Sequence, residues 1–299
     1  MLSPDPMSFK PNPAPGTCPT LPGFGLLRVA GRDAAAFLQA QAMNDVNALA
    51  PAHWQWNGLL TPKGRLIALF ALLREADDQF LLVLPDFTAV DLAAHLKKFV
   101  FRSKLSLQPL DDWQACAGHA PSVPDRALAA GDAESGWVLD LSGDGATRGL
   151  WLLPPGDPAI GAENPAASRT WRQADLAHGL PRLPADQREA WTPQMLSLDR
   201  LGAYSLKKGC YPGQEIVSRT HYLGQAKRVL ARFGAATAPE AGAAVLGQDG
   251  KELGRLVCQA PAGDGIEALA VMPAGLDPAT PLSAGPALSP LPLVAGLAR

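Results

Sequence analysis

The sequence predicts an α+β fold, a body of antiparallel sheets with flanking helices followed by a small C-terminal β-barrel. Three observations carry it. Two apolar runs, Trp54–Leu60 and residues 65–74, flank Thr61-Pro62-Lys63-Gly64, a turn signal that makes them a hairpin. Stripes of helical period alternate with such runs as far as residue 178. After Gly224 the texture changes to short strands separated by glycine-containing turns, the pattern of a small all-β module. A chain of 299 residues is long enough for about two domains and needs no disulfide or metal staple.

The elements follow in order. The first 22 residues hold seven prolines, which remove backbone donors and block helix, so 1–22 reads as a solvated, disordered tail. This start carries neither a basic-then-apolar signal nor an Arg-rich amphipathic presequence. Residues 26–30 read as a strand. Ala34, Phe37, Leu38 and Gln41 fall on one helical face after Asp33, a good N-cap residue. Gln79–Leu84 is a strand, and Asp86 is placed to cap a helix through Phe101 whose buried stripe is Val90, Leu92, Leu96, Phe99 and Val100. Residues 104–107, 113–117, 137–141 and Gly149–Leu153 are further strands. Residues 171–178 form a short helix stopped by Gly179, with Pro181 beyond. Residues 229–233, 243–246, 252–258 and 266–271 are the barrel strands, and 272–299, rich in proline, is edge strand or tail. The divisions are thus 1–22, a body of two subdomains over 23–225, and a barrel over 226–299.

Composition excludes several classes. The longest strongly apolar run, residues 66–73, is too short to cross a bilayer, which takes about 20 residues as a helix. The chain therefore reads as soluble, with no membrane partner. Cys18, Cys116, Cys210 and Cys258 are scattered, with no CxxC or HExxH pairing, so no local metal motif is present and a reducing, cytoplasmic compartment is implied. The five histidines form no ligand spacing, and the tryptophans read as structural, with Trp54 and Trp56 sharing one strand face.

One segment stands apart, Leu206-Lys207-Lys208-Gly209-Cys210-Tyr211-Pro212-Gly213-Gln214-Glu215-Ile216-Val217-Ser218-Arg219. Between Arg200 and Arg232 lie seven Lys/Arg and one acid, Glu215, a local +6 in a chain of net charge −2. Cations and a helix N-terminus stabilise a thiolate, and a helix starting near Gly213 places both beside Cys210. Gly209 and Gly213 permit backbone at positive φ or close to a ligand. On spacing alone, Cys210 is either a reactive thiol or an inert surface cysteine.

Lys208-Gly209-Cys210-Tyr211-Pro212-Gly213-Gln214-Glu215 resembles the K-G-C-[FY]-x-G-Q-E signature of the YgfZ family, folate-binding relatives of the glycine-cleavage T-protein, an aminomethyltransferase. Phe37-Leu38-Gln39-Ala40-Gln41 with Asn44-Asp45-Val46, Thr61-Pro62-Lys63-Gly64-Arg65, Gly179-Leu180-Pro181, Pro193-Gln194-Met195 with Leu198-Asp199, and Tyr222-Leu223-Gly224 with Lys227-Arg228 extend the resemblance over about residues 23–271. It implies a three-part α+β/β-barrel architecture around a central channel that binds tetrahydrofolate. It also implies a role in assembly or repair of iron–sulfur enzymes, including radical enzymes that thiolate tRNA, with those enzymes or cluster carriers as partners.

The resemblance makes Cys210 the functional thiol and Lys208 a cation that lowers its pKa or meets a folate carboxylate. Gln214 and Glu215 become a polar pair that holds the loop or bonds the pterin. Arg65, Arg219 and Arg228 are candidates for the anionic glutamyl tail, which favours guanidinium partners. Tyr211 either stacks on the ligand or fills the core beside the loop. The transferase's pterin-gripping carboxylate has Ala177 in its place here, so a one-carbon transferase is the alternative rather than the first reading. A third reading, direct tRNA binding by the basic segment through Tyr204, Tyr211, Tyr222 and His221, explains the same charge with more assumptions.

Overall fold

The computed structural model describes residues 13–224 and 226–299. The first unit holds β1 (Cys18–Pro19), β2 (Gly25–Ala30), α1 (Ala34–Gln41), β3 (Trp54–Leu60), β4 (Leu66–Ala76), β5 (Gln79–Leu84), α2 (Ala89–Lys97) and β6 (Ser106–Pro109). Strands β3-β4-β5-β2-β6, in that order, make an antiparallel five-stranded sheet. Its centre explains the long apolar run. In β4, Ala68, Phe70 and Leu72 face α1 and α2, whereas Leu69, Ala71 and Leu73 face the rest of the protein. A strand covered on both faces needs apolar residues at every position rather than at alternate ones.

The second unit contains β7 (Gln114–Gly118), β8 (Ala130–Asp132), β9 (Gly136–Asp140), β10 (Gly149–Leu153), β11 (Ile160–Gly161) and α3 (Pro165–Ala177). Strands β7-β10-β9-β8 form a second antiparallel sheet. Its Trp137, Leu139, Leu150 and Leu152 share one core with Trp54, Trp56 and Leu69 of the first sheet and with Val257, Leu269 and Val271 of the third unit. α4 (Gln214–Leu223) leads into that unit, where β12 (Arg228–Ala235), β13 (Ala244–Gly247), β14 (Glu252–Ala262), β15 (Gly265–Pro273), β16 (Leu282–Ser283) and β17 (Ala287–Leu291) close into a six-stranded barrel. Closure removes the free strand edges that a short sheet would expose. The α+β body with a C-terminal barrel is therefore the fold observed. Among the described residues no helix is long and apolar enough to cross a membrane.

Several expectations need correction. Of the expected tail, residues 1–12 lie outside the described residues, but β1 pairs in parallel with β11, and Cys18 and Leu21 are buried. Those two apolar residues recover by burial what the surrounding prolines forgo in hydrogen bonds. The second helix is shorter than expected and is capped by Thr88, whose hydroxyl accepts from Asp91 N, rather than by Asp86. Its buried face is Ala89, Leu92 and Leu96, leaving Val90 and Phe99 exposed. Asp33 flanks α1 but accepts from Lys104 N instead of capping. The third helix begins six residues earlier than expected, at Pro165, with Asn164 accepting from Ala166 N and Ala167 N, a start signal masked by its alanine-rich first turn. The C-terminal stretch is integral. It supplies β16 and β17, then Leu297 is buried and its carbonyl accepts from Trp56 Nε1. Trp54 and Trp56 are core residues, packed edge to face with ring centroids 5.3 Å apart.

Candidate functional site

Gly213 and Gly64 seat the signature loop. Gly213 has φ 79°, and a Cβ there would lie 2.6 Å from Thr61 O and 2.7 Å from Gly64 Cα. The start of α4 is thereby pressed onto the β3–β4 turn. From this seat Lys208 reaches inward. Its Nζ donates to Gln39 O at 2.6 Å, Ala42 O at 2.5 Å and Asn44 O at 3.1 Å. The first two lie at the C-terminal end of α1, where carbonyls lack helical partners and the dipole favours a cation. Burial lowers its pKa to about 8, with Asp45 pulling the other way.

The neighbours brace the same loop. Tyr211 is buried, its ring 5.0 Å from Lys208 Nζ and its hydroxyl donating to Ser205 O, and burial pushes its pKa up to about 12. Tyr211 thus fills the core rather than offering a stacking face. Gln214 Nε2 donates to Lys208 O at 3.2 Å. Cys210 is exposed, as is Glu215 in the first turn of α4. The loop is a rigid mount that presents one sulfur, with the lysine's ammonium committed to three carbonyls.

Two of the three expected arginines are engaged with backbone carbonyls. Arg65 Nη1 donates to Ala190 O at 2.7 Å, and Arg228 Nη1 donates to Leu253 O at 3.0 Å, stapling β12 to β14. Arg219 is exposed on α4. More of the basic segment is used internally: Arg200 bonds His178 O and Val294 O, and Arg232 pairs with Glu267 at 2.6 Å. The +6 charge is therefore in large part a set of internal staples.

A different group of residues meets where the three units come together. A cavity of about 270 Å³ is lined by Asp86 from the β5–α2 connection, Arg172 of α3, Arg182, and Glu240, Cys258 and Gln259 of the barrel unit. A second cavity, of about 480 Å³, adjoins it through Asp86 and Arg182 and includes Phe24 and Trp113. Both are of the order of a small-ligand site, roughly 300–1,000 Å³. Neither is lined by Cys210, Arg65, Arg219 or Arg228.

Electrostatics there are unusual. Burial raises the Asp86 pKa from 3.8 to about 6, although it accepts from Leu183 N and lies near Arg182, Arg188 and Arg172. Arg182 is anchored to Asp175 at 3.2 Å, and Asp175 also holds Arg148 at 2.7 Å. Arg172, by contrast, forms no side-chain hydrogen bond or ion pair among the described residues, and burial lowers its pKa. Among the described residues, Gln259 Oε1 and Arg182 Nε are buried without hydrogen-bond partners. Burial pushes the Cys258 thiol up to about 11. The arrangement suits a ligand with an anionic end and a heterocycle that exchanges hydrogen bonds.

Sequence reasoning missed this group because its members are spread from residue 86 to residue 259. Asp86 was assigned to a helix cap, and Arg172 and Arg182 lay outside the basic segment. The available signal was Arg182 directly after Gly179-Leu180-Pro181, with Arg172 two turns upstream on the preceding helix.

Comparison with known proteins places the whole chain rather than either region. No family model matches the chain. The chain is 30% identical over 233 residues to the tRNA-modifying protein YgfZ of Vibrio vulnificus, covering 74% of this chain and 71% of that one. It is 28% identical over 247 residues to the protein of the same name from Escherichia coli O157:H7, covering 76% and 75%. An uncharacterised protein of Haemophilus influenzae is 31% identical over 224 residues, covering 74% and 75%. Among solved structures, the glycine cleavage system aminomethyltransferase T of Bartonella henselae superposes with a TM-score of 0.69 at 18% identity, over 93% of this chain and 85% of that one, which establishes a shared fold. With the Vibrio relative matched across most of both lengths and the K-G-C signature seated as described, the chain belongs to the YgfZ family.

Proposed function

We propose that this protein is a folate-binding accessory factor of tRNA modification, supporting the iron–sulfur enzymes that carry it out, with Cys210 as its working thiol. The observation that carries the folate half is Arg172, a half-buried guanidinium without a hydrogen-bond or ion-pair partner among the described residues, in the wall of a cavity built by all three units. A reduced folate has the chemistry this wall lacks. Its glutamyl carboxylates match Arg172 and Arg182, and its pterin edge has donors for Gln259 Oε1 and for the Asp86 carboxylate. The names of the relatives, tRNA-modifying proteins, support the pathway.

The thiol has a separate task. A cluster needs about four ligands, so one exposed sulfur supplies a single ligand or nucleophile and the partner enzyme supplies the rest. Lys208, Tyr211 and Gln214 act as positioning residues that hold Cys210 outward.

Two measurements test the proposal. Calorimetric titration of the purified protein with tetrahydrofolate is expected to show binding that Arg172→Ala weakens about tenfold and Cys210→Ala leaves unchanged; no heat with the native chain rejects the folate half. In cells lacking the protein, Cys210→Ala is expected to restore no thiolated tRNA, and full restoration rejects the thiol half. One observation favours a second reading, one-carbon transfer: a carboxyl with a pKa of about 6 in the cavity wall suits acid–base work on a folate. Turnover of methylene-tetrahydrofolate by the purified protein, lost in Asp86→Asn, decides for it.

A further inference from the structure

Just past the end of α2 the chain displays a ring that nothing among the described residues covers. Phe101 is 88% exposed, and its φ of 43° is in the left-handed region, where a bulky residue is strained. The segment around it is nonetheless well held. Phe99 N donates to Leu96 O at 2.9 Å, Ser103 N to Val100 O at 2.8 Å, and Lys104 N to Asp33 Oδ2 at 2.6 Å. The backbone on both sides of Phe101 is thus hydrogen-bonded while its ring stands in water.

Its surroundings are cationic. Lys97, Lys98, Arg102 and Lys104 are all exposed, and the segment 95–104 contains no acid. Among the described residues none of these four side chains forms a hydrogen bond or ion pair. The neighbouring loop adds exposed Arg32, balanced in part by Asp33 at 3.7 Å. Phe99 is at the edge of exposure, tilted against His95 at 5.5 Å. Cations of the 200–232 segment are in large part tied to carbonyls and carboxylates, whereas these four are all free.

We propose that this surface binds an unpaired stretch of RNA, one base stacking on Phe101 and the flanking phosphates lying on Lys97, Lys98, Arg102 and Lys104. The inference rests on the tRNA reading above and locates its contact away from both the folate cavity and the Cys210 loop. Aromatic rings interleaved with cations are the general means of holding single strands without sequence preference. A bilayer is a poorer fit. The apolar face of α2, Ala89, Leu92 and Leu96, is already spent on the sheet, so no amphipathic helix remains to lie in a membrane interface.

The test uses the full-length protein and a short fluorescent single-stranded oligoribonucleotide, with vesicles of phosphatidylserine and phosphatidylcholine as the competing surface. Native protein is expected to bind the oligonucleotide with a logarithmic salt slope of about −3, as four phosphate contacts require. Phe101→Ala is expected to weaken binding roughly five- to hundredfold with the slope unchanged. Lys97→Glu with Lys98→Glu is expected to flatten the slope by about 1.4. Phe101→Gly controls for folding, since it relieves the left-handed strain and is expected to melt higher while binding RNA as poorly as Phe101→Ala. Equal RNA affinity in native and variant proteins overturns the proposal, as does Phe101-dependent capture by the vesicles without RNA binding. Tetrahydrofolate affinity and Cys210-dependent rescue are read in parallel. If those hold and RNA binding fails, only this surface is rejected; if RNA binding holds and those fail, the fault lies with the proposed function.

Discussion

The signature loop and the three-unit cavity solve opposite problems. In the loop, eight consecutive residues place one sulfur in solvent, and three of their polar side chains are used in bracing: Lys208 on three carbonyls, Gln214 on Lys208 O, Tyr211 on Ser205 O. In the cavity, residues far apart in sequence converge and leave polar groups unsatisfied, among them Gln259 Oε1 and Arg182 Nε. A satisfied network is a mount, and an unsatisfied one is a socket. Charge density along the chain therefore marked the mount, and the socket had to be found in three dimensions.

The comparison can be broken most forcefully at Lys208. Lys208→Met takes the donor from two buried carbonyls and one part-buried one and is expected to cost about 3 kcal/mol in urea unfolding, whereas Cys210→Ala stays within about 0.5 kcal/mol. Equal effects from the two would mean the loop is not a mount. Gly213→Ala comes next, at about 2 kcal/mol, because the left-handed φ and the Thr61 carbonyl both oppose a Cβ. Arg172→Ala is expected to leave the urea midpoint in place while lowering folate affinity about tenfold, or about 1.4 kcal/mol; a large loss of stability instead would make Arg172 a structural group.

The smallest effect is a pH profile. Asp86 has a folded pKa of about 6 against 3.8 when free, so the folded state holds its proton more tightly. Its contribution to stability is complete below pH 3.8 and is lost as pH rises through about 6. The difference between native and Asp86→Asn urea midpoints is expected to shift against the native protein across that window, and a flat difference would show that Asp86 is well solvated.

Much of the fold was legible because local signals and burial agree. The Thr61–Gly64 turn between two apolar runs gave the β3–β4 hairpin, and Gly149–Leu153 matched to the residue. Disagreements arose where one residue type has two uses. Asp86 looks like a cap, yet Thr88 takes that role and frees the carboxylate for Leu183 N and the cavity. Phe99 falls on a helical period with Leu92 and Leu96, but the helix stops at Lys97, so the period no longer dictates burial. The lysine beside the cysteine looked like its activator, and only the folded position of the α1 carbonyls reveals the stronger claim on that ammonium. Cys210 stands out in the sequence by pattern alone, and in the fold it is exposed.

The burial of the other three cysteines has a chemical outcome. Cys18, Cys116 and Cys258 are enclosed, and desolvation raises the thiol pKa of each, to about 12 for Cys116 and about 11 for Cys258. At neutral pH burial holds these three thiols in the protonated form, and although Cys258 borders the cavity, an electrophile, an oxidant or a second protein meets the exposed Cys210 first on the native molecule. The fold thereby ranks four chemically identical side chains, and one fast-reacting label per folded chain, rising to four on unfolding, is the expected signature of that ranking.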